Sequence, residues 1–133
     1  MNDCCFTPAS ARKTLQAIRP AAERLCVIYG KLEKGCPRSV QSDERVEPSY
    51  FLLVQALHAF LGEIGASGAR VKDLKRGLLE FPARREGRAV LLSWEVGEPA
   101  LDYWHEVDAG LDTRRPIDDD GPWEEVETPG QSR

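Results

Sequence analysis

The side chains best suited to chemistry gather in the second half of the chain, around His105. Glu98, Asp102, Glu106 and Asp108 stand close to it in sequence, with Asp73 and Glu80 further upstream. An imidazole with carboxylate oxygens is a donor set for a divalent transition metal such as manganese, iron or zinc. Strand alternation puts Leu101, Tyr103 and His105 on one face and Asp102, Trp104 and Glu106 on the other. His105 therefore needs partners from another strand or from the loop at Asp73, which makes Glu80, Glu98 and Asp73 the candidate ligands beside it. Its structural alternative is a ring at the sheet edge, hydrogen-bonded to backbone or to a carboxylate that sets its tautomer.

Other residues carry weaker signals. Trp94 and Trp104 fall on neighbouring expected strands, where they could meet as a cross-strand pair, either as core or as a platform for a ring-shaped ligand. Arg114, followed by Arg115, could clamp a carboxylate or phosphate, or pair with Asp112 and Asp118. Asp73 suits a turn, accepting backbone N–H groups near Arg76. His58 interrupts an apolar helix and has no acidic or histidine partner one turn away. A lone Trp123 in an acidic tail has the form of a short docking motif. Nothing resembles a nucleophile elbow, a cysteine–histidine frame or a phosphate loop. No activity is specified.

The elements that must hold these residues begin at Phe6-Thr7-Pro8, a helix start with a capping hydroxyl and a proline at the first position. Ala11, Leu15, Ile18, Ala22, Leu25, Tyr29 and Leu32 follow at spacings of 4, 3, 4, 3, 4 and 3, a heptad stripe of coiled-coil type. The spacing predicts a helix over about 8–34, kinked near Gln16 by Pro20 inside it. Residues 35–47 are polar and read as a linker. Val46, Tyr50, Leu53, Leu57, Phe60 and Ile64 predict a second helix over about 47–64, ended by Gly62, Gly65 and Gly68. The two should pack as an antiparallel hairpin. Strands are expected at 78–82, 88–96 and 100–107, with turns at 84–87 and 97–99. The fold class is α+β, a heptad-patterned helical hairpin packed on a small three-stranded antiparallel sheet. Residues 1–117 are expected as one domain and 118–133 as an acidic, disordered tail.

The strings VKDLKRGLLEFP (71–82), GRAVLLSWEVGEP (87–99) and YWHEVDAG (103–110), with Arg114-x-Pro116, Phe6-Thr7, Ala11 and Arg19-Pro20, resemble an uncharacterised bacterial family, domain of unknown function 2203. The resemblance covers nearly everything except the tail. It implies a helical hairpin with a small β-rich C-terminal part and brings no activity. Three positions depart from the family pattern: Glu80 where an Asp is usual, Ser93 where a Cys is usual, and Thr113 where a second glycine is usual. Glu80 keeps a carboxylate on a longer arm. Ser93 implies that a shared function does not need a thiol there.

A chain of 133 residues with 41% hydrophobic and 30% charged side chains suits a folded domain with a small core. A net charge of −4 gives no attraction for phosphate backbones or anionic lipid, so neither nucleic acid nor membrane is an expected partner. Cys4, Cys5, Cys26 and Cys36 lack metal or redox spacing and read as reduced thiols. No leader-like run opens the sequence, and the expected location is the cytoplasm. Two helical stripes exceed what so small a sheet can cover. The expectation is a non-enzymatic interaction protein that forms an oligomer, a dimer first, through the hairpin. The alternative is a small metal- or ligand-dependent enzyme or sensor built on His105.

Overall fold

Thr7 opens the first helix through a reciprocal cap. Its hydroxyl accepts the Ser10 backbone N–H at 3.1 Å, and the Ser10 hydroxyl accepts the Thr7 N–H at 2.9 Å. From there α1 (Pro8–Gly35) runs for 28 residues and passes through Pro20 without a break. A computed structural model of the chain describes residues 6–35, 48–109 and 113–124. The expected linker, apart from Gly35, lies outside the described residues, as do Cys4, Cys5 and Cys36.

The second helix, α2 (Pro48–Ala66), continues past Gly62 and Gly65. It stops where the Ser67 hydroxyl donates to the Ile64 carbonyl at 2.6 Å and Gly68 takes a left-handed φ of 100°. Glycine costs a helix about 1 kcal/mol, which packing readily offsets, so the expected end at residue 64 falls slightly short. α1 and α2 pack on each other, and α2 also touches the first strand.

The sheet has five strands, not three: β1 (Arg70–Asp73), β2 (Leu78–Arg85), β3 (Arg88–Glu95), β4 (Tyr103–Glu106) and β5 (Arg115–Pro116), in that order and antiparallel throughout. The two additional strands are the edges. β1 is short and charged, and β5 is two residues with a proline, as edge strands commonly are. Such segments carry little of the period-2 apolar signal that reveals a central strand. β2 and β3 join through Glu86-Gly87, both at positive φ (54° and 79°), with Arg85 opposite Arg88. This is a two-residue hairpin loop of the mirror-image type, tighter than the four-residue turn expected at 84–87.

Alternation gives the sheet two faces. Leu79, Phe81, Ala83, Val90, Leu92, Trp94 and Trp104 join Ala11, Leu15, Ile18, Ala22 and Leu25 of α1 in the main core. The α1 stripe from Ala11 to Leu25 is thus spent inside the chain, while Tyr29 and Leu32 stay half-buried outside that core. Leu78, Glu80, Leu91, Ser93 and His105 are buried as well but point away from that core. Leu101 belongs to the helix-facing core, although it was expected beside His105. The reason is that β4 begins only at Tyr103, so alternation does not extend back to residue 101.

The first part of the expected tail, residues 118–124, packs on the sheet. Trp123 bridges to Arg85 and stacks edge-on against Trp104, with ring centroids 5.7 Å apart. The Arg85 guanidinium lies 4.8 Å from the Trp104 ring and 4.7 Å from the Trp123 ring, and binds Asp118 through both amino groups at 2.9 and 3.1 Å. Acidic composition predicted a solvated segment, but Trp123 and Arg85, with Arg12 on Asp119 and backbone bonds at Glu86 and Glu124, dock it. Residues 125–133 lie outside the described residues.

Candidate functional site

The hairpin register places Glu80 directly opposite Ser93, and Ser93 opposite Tyr103. His105, one step along β4, faces Leu91. Glu80, Ser93 and His105 therefore sit on three successive strands, on the sheet face turned away from the helices. Relative exposures are 6%, 0% and 4%, so all three polar side chains are buried.

His105 Nδ1 lies 2.8 Å from the backbone carbonyl of Glu106. A carbonyl only accepts, which assigns the hydrogen to Nδ1 and turns Nε2 toward the carboxylate. Nε2 is 3.7 Å from Glu80 Oε2. That is beyond hydrogen-bonding reach. Among the described residues, His105 Nε2 and Ser93 Oγ have no hydrogen-bond partner, and neither has the nearby Arg114 Nε. Buried polar atoms are nearly always paired, so two orphans beside a buried carboxylate mark this spot.

A second polar group borders it. Arg114 binds the Glu98 carboxylate through both amino groups, at 2.9 and 3.0 Å. The same guanidinium donates to the Ser93 carbonyl at 3.3 Å and lies 4.5 Å from the Tyr103 ring centroid. Burial pushes the Glu98 carboxyl up. The bonds from Arg114 and from the Glu95 amide outweigh that and hold it below the ordinary carboxylate range. The loop carrying Glu98 is gripped from α1, where Arg19 donates to the Glu98 and Pro99 carbonyls and Arg12 to that of Leu101.

Of the residues singled out from sequence, the fold brings His105 and Glu80 together and sets Glu98 and Arg114 beside them as a pair of their own. Asp73 is not among them. It accepts the Lys75 and Arg76 backbone N–H groups at 3.0 and 3.1 Å, the turn role. Trp94 and Trp104 lie on the opposite face and do not pair in register, because Trp104 stands across from Leu92 and Trp94 across from Leu79. Trp94 Nε1 donates to the Glu98 carbonyl at 3.0 Å. Both tryptophans are core, and neither forms an exposed platform. Cys26, a free thiol, donates to the Lys75 carbonyl.

Ser93 escaped the choice of site residues. The signal for it was present: a two-residue turn at Glu86-Gly87 fixes the register and sets Ser93 opposite Glu80.

Residues 5–117 match the family of uncharacterized conserved proteins designated DUF2203. The chain belongs to the DUF2203 family. The match spans both described helices, β1 to β5 and all of Glu80, Ser93, Glu98, His105 and Arg114. No curated protein and no solved structure matches this DUF2203 chain. Among the described residues, no helix is long and apolar enough to cross a membrane, and no three or more His, Cys, Asp or Glu side chains cluster as metal ligands.

Proposed function

We propose that this DUF2203 chain is a non-enzymatic interaction protein that pairs with a second copy through α2. The carrying observation is that α2 is apolar well beyond the face it buries. Leu57, Phe60, Leu61 and Ile64 pack on the chain's own core, while Phe51 and Leu52 stand 55% and 62% exposed. The Leu57, Phe60 and Ile64 half of the expected stripe is therefore internal, and exposed apolar surface lies beside it.

That surface offers both a protrusion and a recess. Leu52, Ala56 and Phe60 form one row at intervals of a helical turn. Ala56 and Phe60 line a groove of about 660 Å³, closed on the α1 side by Pro20, Val27 and Ile28. Leu52 is thus a protrusion about 12 Å from the far end of its own groove. A twofold arrangement lets each copy seat Leu52 in the other's recess, as an isologous interface requires. The α1 rim carries Glu23, Arg24 and Lys31, both signs of charge, so the same rotation can place opposite charges together.

The test is sedentation-based mass determination over a concentration series up to about 100 µM, for wild type and for Phe51→Glu with Leu52→Glu. Both positions are exposed, so the variant should keep the wild-type circular dichroism. A wild-type dimer that becomes monomeric in the variant is expected. A wild-type monomer throughout the series, or a dimer that survives both charges, would overturn the proposal.

A further inference from the structure

We infer that Glu80, Ser93 and His105 form a binding site for a first-row divalent cation, zinc foremost. The spacing of the two strong donors carries the inference. A direct hydrogen bond would bring His105 Nε2 and Glu80 Oε2 to about 2.8 Å, and a bridging water with good angles would spread them to about 4.5 Å. Their separation is 3.7 Å, between the two. A zinc ion about 2.1 Å from each would subtend an angle of about 120° at that separation, within the range of tetrahedral and five-coordinate sites.

The chemistry agrees with the distance. His105 Nδ1 faces the Glu106 carbonyl, so Nε2 is the ring nitrogen turned toward Glu80 and left to meet a metal. That backbone bond also fixes the ring's orientation, the usual way a metal-binding histidine is held. Ser93 Oγ, buried and without a partner among the described residues, stands on the strand between those of the two donors and is the candidate for a third oxygen. Among the described residues, the ionic contact of the Glu80 carboxylate is with His105, an arrangement costly for a buried anion unless a positive charge joins it. With only the imidazole and the carboxylate as strong donors, the remaining coordination positions would fall to the Ser93 hydroxyl, water or a ligand. The nearby Arg114 guanidinium is engaged with Glu98 through its amino groups, while its buried Nε has no hydrogen-bond partner among the described residues.

The experiment uses the full chain, purified without chelator or a metal-affinity column. Metal content is measured by elemental analysis, and Zn²⁺ and Co²⁺ affinities are measured on metal-stripped protein. Zn²⁺ should bind at one ion per chain and raise the melting temperature. Glu80→Gln should weaken binding by at least about tenfold, the scale on which even outer-shell changes act. Should that variant unfold, nitrogen NMR of the wild type serves instead: Zn²⁺ should shift His105 Nε2 and leave His58 unmoved. Folded wild type that binds neither ion, or a Zn²⁺ titration that moves His58 and not His105, would overturn the inference. Zn²⁺ affinity unchanged by the double substitution at Phe51 and Leu52 is also expected, because this site stands apart from the α2 surface.

Discussion

At the scale of single residues, the Glu98–Arg114 pair shows how one ion pair can hold a loop. Both side chains are largely buried, at 24% and 17% exposure, and the carboxylate accepts three hydrogen bonds. Its carboxyl is held below the ordinary value, so the ionised form stabilises the fold. That stability is fully present above the unfolded value of about 4.3 and is lost as pH falls through the lower folded value. Urea unfolding of Glu98→Gln should show a loss of about 1–2 kcal/mol at neutral pH and a shallower decline on the acid side than wild type. An acid limb as steep as that of wild type would mean another carboxylate governs it. Of the residues chosen from sequence, Glu98 and Arg114 bond each other and His105 comes to 3.7 Å from Glu80, because alternation and charge type limit what a side chain can face. Asp73 did not join them. Its own short turn satisfies its carboxylate locally.

At the scale of elements, turns decide which residues meet. Gly77 links β1 to β2 with φ at 68°, and a Cβ there would lie 2.5 Å from Val96 Cγ2. Its amide carbonyl accepts the Val96 N–H at 3.0 Å, which ties the start of β2 to the end of β3. Gly77→Ala therefore combines a left-handed backbone penalty with a steric clash and should cost about 2–4 kcal/mol in chemical denaturation. A loss below about 0.5 kcal/mol would show that Val96 yields freely. The central strands were legible because β2 and β3 carry long apolar runs. The edge strands were not, since β1 and β5 have one partner each and little apolar pattern to reveal them.

At the scale of the whole molecule, the chain closes on itself twice. Phe6 lies edge-on against Phe81 at 5.2 Å, and its backbone N–H donates to the Pro82 carbonyl. At the other end, Trp123 and Asp118 enclose Arg85 beside Trp104, and the Trp123 indole donates to the Asp118 carbonyl at 2.8 Å. Both contacts fall on β2. Trp123→Ala should lower stability by about 2–3 kcal/mol, the contribution of a half-buried indole, and a chain ended after Ile117 should lose at least as much. Equal melting temperatures for wild type and both variants would show that the docked segment contributes nothing.

Local patterns in the chain settled the α1 cap, the presence of two helices, the apolar runs of the central strands and the α+β class, because capping, 3.6-residue periodicity and alternation act over a few neighbouring residues. They also placed a histidine and several carboxylates within reach of one another. Which of these meet was decided by tertiary structure. Register across three strands brought Glu80 and Ser93 to His105, and moving a strand by one residue would have turned each to the other face. The same holds for Trp123, whose place against Arg85 and Trp104 depends on a contact distant in sequence that no local pattern encodes.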